Sequence, residues 1–270
     1  MLIKLAIQVI ILLVKILITN DDGVYAPGLW ALVTELKQEA DVMVVAPDRD
    51  QSGVGTGITL HHPLRLQKFA SPVAGVSAYA VCGTPGDSVI MGLKHLTNEK
   101  VDLVVSGINN GPNLGDDIFL SGTVGAALQG YLHGISSVSV SINDTGNNFL
   151  DNGAKLTADL IFKALASVTG KDHYFLNINI PSCPLYNIKG IKITRPGFTG
   201  LAEEIEEGHD GRKQYYWLKH RKAGDNLEEP SDAWAVARNF ISITPLHAVL
   251  FNKKEPSFNG NIENVLQGIL

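Results

Sequence analysis

From about residue 15 to residue 180, short apolar runs alternate with stretches whose apolar side chains return every three or four positions. The runs at residues 16–19, 42–46, 78–81, 101–105, 138–142 and 175–180 predict buried strands. Pro27 opens a helix with Leu29, Leu32, Val33 and Leu36 on one face, and Pro85 opens another carrying Val89, Ile90, Leu93 and Leu96. Residues 121–132 read as a helix of small residues and residues 150–168 as a long helix. Strands alternating with helices imply parallel pairing. The pattern therefore predicts an α/β fold, a doubly wound and mostly parallel sheet with helices on both faces. Past Pro181 this rhythm stops. Residues 188–194, 214–218 and 239–244 predict further strands, and residues 203–232 are dense in charge. The expected organisation is an apolar N-terminal extension (1–14), an α/β core carrying the candidate site (15–185), and a β-rich C-terminal arm and tail suited to oligomerisation (186–270).

The extension is apolar except for Lys4 and Gln8, and it runs straight into the first strand with no small-residue cleavage site. A membrane helix needs about 20 apolar residues, and a signal peptide needs a cleavable end. A misplaced start, with Val14 as the initiator, or an extra apolar tail is therefore favoured over a targeting or anchoring role. Composition narrows the functional classes. With 45% hydrophobic and 18% charged residues, a sizeable core is available and wholesale disorder is excluded. The formal charge of −5 argues against a protein that coats nucleic-acid polymers. Cys82 and Cys183 stand far apart with no CxxC, which removes a disulfide scaffold and a cysteine zinc site.

Four unusual clusters each follow a predicted strand: Thr19-Asn20-Asp21-Asp22-Gly23; Ala46-Pro47-Asp48-Arg49-Asp50-Gln51-Ser52-Gly53; Ser106-Gly107-Ile108-Asn109-Asn110-Gly111-Pro112-Asn113; and Ser121-Gly122-Thr123-Val124-Gly125. Ligands of open parallel sheets bind outside the carboxyl ends of the strands, so all four point to one rim. The adjacent carboxylates Asp21 and Asp22 repel each other unless a cation or donors stand between them. Alone, the pair also reads as a turn. Ser52 and Asn109, at matching strand ends, would add neutral oxygens. That set suits a hard ion such as Mg²⁺, Mn²⁺ or Ca²⁺ rather than zinc. Ser121 reads as an N-cap, and the bare N–H groups behind it suit a phosphate; beside a metal, Ser121, Gly122 and Thr123 become a phosphate clamp.

Other signals read as structural. Gly53, Gly55 and Gly57 lack the dinucleotide-binding spacing, and Pro63 follows too soon for a long helix. His61-His62 precede Pro63 in an expected edge strand. Residues 83–88 look like a capped helix start, and Tyr215, Tyr216 and Trp217 suit core or interface better than base stacking.

The clusters together resemble the SurE family of survival-protein nucleotidases. The resemblance is carried by Thr19 to Gly23, by Ala46-Pro47-Asp48 with Ser52-Gly53, and by Gly83-Thr84-Pro85-Gly86-Asp87. It continues through Val105-Ser106-Gly107-Ile108-Asn109, Ser121 to Gly125 and Ser242-Ile243-Thr244-Pro245-Leu246, all in the family's order. It implies a Rossmann-like core, an extended C-terminal arm, homodimers or homotetramers, and a cytoplasmic enzyme. It also implies one Mg²⁺ or Mn²⁺ ion held at the positions matching Asp21, Asp22, Ser52 and Asn109. The implied reaction is hydrolysis of nucleoside monophosphates to nucleoside and phosphate, by a 5'-nucleotidase that in some members also takes 3'-nucleotides or short polyphosphate. The N-terminal extension departs from the family's usual start.

On this reading Asp21 or Asp22 also positions water or takes its proton, and Ser121, Gly122 and Thr123 hold the phosphoryl oxygens. Asn20, Asn110 and Asn113 orient the ligands. A covalent phospho-aspartate ranks lower, because the two acids are adjacent rather than spaced D-x-D. The alternatives are a broad acid-type phosphatase, a non-catalytic nucleotide- or metal-binding module, and an interaction protein in which the charged arm matters most.

Overall fold

The computed structural model describes residues 14–142, 149–167, 173–198, 201–222 and 228–248. Residues 1–13, nearly all of the apolar extension, lie outside them. Among the described residues no helix is long and apolar enough to cross a membrane.

The strands are β1 (Lys15–Thr19), β2 (Asp41–Pro47), β3 (Arg65–Phe69), β4 (Ser77–Cys82), β5 (Leu103–Asn110), β6 (Ser136–Ile142), β7 (Phe175–Ile180), β8 (Ile191–Ile193), β9 (Leu201–His209), β10 (Gln214–Lys222) and β11 (Ile241–Pro245). The helices are α1 (Pro27–Leu36), α2 (Pro85–Met91), α3 (Gly122–Leu132), α4 (Phe149–Ser167) and α5 (Asp232–Ala237). Nine strands form one sheet in the order β3-β4-β2-β1-β5-β6-β7-β11-β8. From β4 to β7 every pairing is parallel. The chain winds from β1 outward to β2 and β4, then returns to lay β5 on the other flank of β1. The order therefore reverses between β1 and β5, and the loops leaving those two strands part from each other at that point.

Strand periodicity assigns each face its core. Ile16 and Ile18 of β1 pack with Leu29, Leu32, Val33 and Leu36 of α1, while Leu17 between them joins Val89 of α2 and Ala126 of α3 on the opposite face. Both sets are buried, as expected for a parallel strand covered on two sides. α3 can lie close to the sheet because a Cβ at Gly130 would come within 2.7 Å of Val104.

The structure differs from the sequence expectation in four places. The edge strand begins at Arg65, after Pro63, so His61 and His62 precede it. β5 continues past Val105 to Asn110, with its register to β6 shifted between Ser106 and Asn109. Gly107 permits this: its φ is 137°, and a Cβ there would stand 2.4 Å from the Val140 carbonyl oxygen. Beyond residue 186 the chain returns to the sheet, since β11 pairs antiparallel with β7 and β8 pairs parallel with β11. Among the described strands, β9 and β10 stand apart, as a two-stranded antiparallel hairpin. Tyr215, Tyr216 and Trp217 on that hairpin are exposed, so they are not core. The start at residues 83–88 is capped as read: the Thr84 hydroxyl accepts from Asp87 N–H, and the Asp87 carboxylate accepts from Thr84 N–H.

Candidate functional site at the switch point of the sheet

The loop after β1 turns sharply at Gly23, whose φ is 95°. The Asn20 amide donates across that turn to the Gly23 carbonyl at 3.0 Å. Two backbone bonds join this loop to the one after β2: Val24 N–H to the Pro47 oxygen and Gln51 N–H to the Asp21 oxygen, each 2.8 Å. Asp21 is 4% exposed. Its carboxylate accepts from the hydroxyl and the backbone N–H of Thr123, in the first turn of α3. Gly122 lies so close that a Cβ there would sit 2.8 Å from the Asp21 Cβ. Asp22 accepts from the backbone N–H of Asn110, at the end of β5. The loops after β1, β2 and β5 and the start of α3 are thus joined at one point.

Electrostatics there are unbalanced. Burial raises the Asp21 carboxyl above its ordinary range, opposed by the Thr123 hydrogen bonds, with Asp50 adding repulsion. Asp22 is pushed up to about 6, by burial first and then by the charges of Asp21 and Asp50, against the Asn110 N–H. Asp50 was not a candidate from sequence. It is a third carboxylate facing the pair, two positions before Ser52 in the same loop. The Ser52 hydroxyl and N–H both donate to its Oδ1, at 2.6 and 2.7 Å. Among the described residues no Lys, Arg or His forms an ion pair with Asp21, Asp22 or Asp50.

The remaining candidates fall into two groups. The Asn109 side-chain N–H donates to the Gly111 oxygen at 2.7 Å, so its amide nitrogen is turned to its own loop. Ser121 caps α3, its hydroxyl accepting from Val124 N–H at 3.1 Å. Asn113 points elsewhere. Its amide donates to the Ser141 hydroxyl at 2.8 Å, its N–H to Asn179 Oδ1 at 2.9 Å, and its carbonyl accepts from Asn177 and Asn179. It fastens the loop to β6 and β7. Asp232 fastens the same loop from the other end of the chain: its buried carboxylate accepts from Gly115 N–H at 2.8 Å and Gly197 N–H at 2.9 Å. Neither Asp232 nor the Asn177 and Asn179 pair carries a spacing signal that would have revealed it.

The donor set fits a hard cation. Two repelling carboxylates, a hydroxyl and an amide oxygen are the ligand types of Mg²⁺, Mn²⁺ or Ca²⁺. Among the described residues no three His, Cys, Asp or Glu side chains form a metal cluster, so Asp50 does not join Asp21 and Asp22 in one. Among the described residues, buried side-chain oxygens of Thr19 and Asn20, at the end of β1, and of Ser106, where β5 shifts register, have no hydrogen-bond partner. Such orphans are uncommon in folded proteins and accompany unlocated water or ions.

Fold and site together define an open, doubly wound α/β protein with an acidic, helix-capped ligand site at its switch point. Comparison with known proteins makes the assignment particular. The family described as "Survival protein SurE" matches residues 16–203, and the chain belongs to that family. It is 49% identical over 241 residues to a protein of Dehalococcoides mccartyi (strain CBDB1) named 5'-nucleotidase SurE, covering 88% of this chain and 91% of the relative. It is 39% identical to a protein of Wigglesworthia glossinidia brevipalpis named 5'/3'-nucleotidase SurE, covering 89% and 94%. The crystal structure of the SurE protein from Aquifex aeolicus superposes with a TM-score of 0.77 at 39% identity, covering 92% of this chain and 99% of that one.

Proposed function

We propose that the protein is a metal-dependent 5'-nucleotidase that hydrolyses nucleoside monophosphates to nucleoside and phosphate. Its family and the printed names of relatives up to 49% identical support this. The observation that carries the chemistry is the buried Asp21 carboxylate hydrogen-bonded to Thr123 in the first turn of α3, with its neighbour Asp22 held by the Asn110 N–H at the end of β5.

Asp21 and Asp22 would hold one divalent ion, Mg²⁺ or Mn²⁺, with neutral oxygens from Ser52 and Asn109. When bound, the ion supplies charge neutralisation at phosphate and lowers the pKa of water. This chain's own groups do the rest. Asp21 or Asp22 orients the attacking water and accepts its proton. At the start of the eleven-residue helix α3, the Ser121 hydroxyl and the Gly122 N–H offer donors to phosphoryl oxygens, where charge grows in the transition state, while Thr123, whose hydroxyl and N–H are taken by the Asp21 carboxylate, fixes that carboxylate against the helix instead of gripping phosphate directly. Asn20 fixes the Gly23 turn, Asn110 holds Asp22 through its N–H, and Asn113 anchors the loop between them. Hydrolysis of 3'-nucleotides or short polyphosphate belongs to the same reading, as do self-association into a homodimer or homotetramer through the 186–270 segment and residence in the cytoplasm. No nucleic-acid polymer is expected as partner.

The test is phosphate release from a panel of nucleoside monophosphates, p-nitrophenyl phosphate and polyphosphate, with chelator and then with Mg²⁺ or Mn²⁺ restored. Nucleotides should be preferred and the chelated enzyme silent. A preference for p-nitrophenyl phosphate over every nucleotide would replace this reading with a general phosphatase.

A further inference from the structure

A cavity of about 370 Å³ opens beside the acidic site, and Asp22 and Asn110 belong to its lining. We infer that it receives the nucleoside half of the substrate, with the flat base between apolar walls. The inference rests on the nucleotidase reading and adds the location and character of the specificity site.

A phosphomonoester held at Asp21 and Asp22 must direct its alcohol to one side. On the Asp21 side stand Gly122 and Thr123 of α3. On the β2 side the loop is closed by the Gln51–Asp21 backbone bond and the Ser52–Asp50 pair. The side reached past Asp22 and Asn110 holds the cavity. Its volume lies in the range of about 300–1,000 Å³ usual for small-molecule sites. Pro27, Ile108 and Leu150 give it apolar walls. Tyr25, 76% exposed, adds an aromatic face. That ring is braced: Phe69 meets it edge-on with centroids 5.1 Å apart, and Trp30 stacks on Phe69 at 5.8 Å. A held aromatic ring beside aliphatic walls and an amide-bearing residue suits a neutral heteroaromatic base. A second groove, about 520 Å³, is lined by Arg49 and Arg65, whose guanidinium charges suit an anion instead.

Leu150→Trp would fill the cavity, and Tyr25→Ala would remove its aromatic face. Each variant is first checked for a wild-type circular dichroism spectrum. The ratio of kcat/KM for AMP to that for glycerol 2-phosphate, which has no base, should fall about tenfold in each. With chelator present, saturation-transfer NMR should detect adenosine on the wild-type protein and lose it on Leu150→Trp. An unchanged ratio in both folded variants, adenosine retained by Leu150→Trp or absent from wild type, or a ratio that falls only in Arg65→Ala would each overturn the assignment. Failure of the underlying reading looks different: the wild-type enzyme would then hydrolyse glycerol 2-phosphate and leave AMP intact.

Discussion

A carboxylate that is 4% exposed and, among the described residues, forms no ion pair, as Asp21 is, costs a folded protein stability unless something arrives to neutralise it. That asymmetry drives the account at the residue scale. Asp21→Asn or Asp22→Asn should lower kcat for AMP by at least about 100-fold, with an unchanged circular dichroism spectrum. A folded Asn variant with wild-type turnover would eliminate the mechanism. The elevated Asp22 carboxyl also sets a pH dependence. Its folded pKa, about 6, exceeds the ordinary 3.8, so the folded state binds more protons between those values. Stability from this group is therefore greatest at the acid end of that window and declines as pH rises through 6. The chelated protein should melt at lower temperature at pH 7 than this group would allow at pH 5, and divalent ions should restore more of the melting temperature at pH 7. An equal metal-induced shift at both pH values would contradict this. Asp21 and Asp22 were legible in the sequence because adjacency needs no fold to be seen. Asp50 was not, since its importance is its distance from that pair. The bonds of Asn113 to Ser141 and Asn179 reach partners 28 and 66 positions away, which local spacing does not encode.

At the scale of elements, the site depends on how closely α3 approaches the loop after β1. Gly122→Ala would drive a Cβ to 2.8 Å from that of Asp21, so loop and helix must separate. A misplacement of that order should reduce kcat/KM about 100-fold, measured beside a melting curve that shows the variant folded. Unchanged kinetics would mean that Asp21 and α3 need not stay in register. Helix starts at Pro27 and Pro85 were readable from local chemistry, as was the Ser121 cap. The extension of β5 to Asn110 was hidden, because Ser-Gly-Ile-Asn-Asn has loop-like composition and only the approach to Val140 made possible by Gly107 keeps it in the sheet. The edge strand expected around His61 and His62 was displaced to β3 at Arg65–Phe69, because its residues are mostly exposed and polar and give little periodic signal, and it is held by β4.

For the whole molecule, the alternation of strand and helix was enough to predict a doubly wound sheet, and hence a switch point where four distant clusters could meet. The return of β11 beside β7 could not be read, because an antiparallel pair at the far edge is chosen by long-range packing. Asp232 then ties that late segment to the loop before α3. Asp232→Asn should weaken three backbone contacts and cost about 1–3 kcal/mol in chemical denaturation. The hairpin of β9 and β10 leaves Trp217 and Leu218 63% and 70% exposed. If it is the oligomerisation surface, Trp217→Ser with Leu218→Ser should shift the sedimentation coefficient toward monomer, and an unaltered coefficient would put the contact elsewhere. The proposed chemistry requires that oxygen-bearing side chains from separate strand ends meet at a single hard cation. Titration of Mn²⁺ followed by electron paramagnetic resonance tests it most directly, on the wild-type chain and on Asp22→Asn. The account predicts one tight site per chain, weakened at least about 100-fold by the substitution. Equal Mn²⁺ affinity in the two proteins, or no tight site in the wild type, would contradict it.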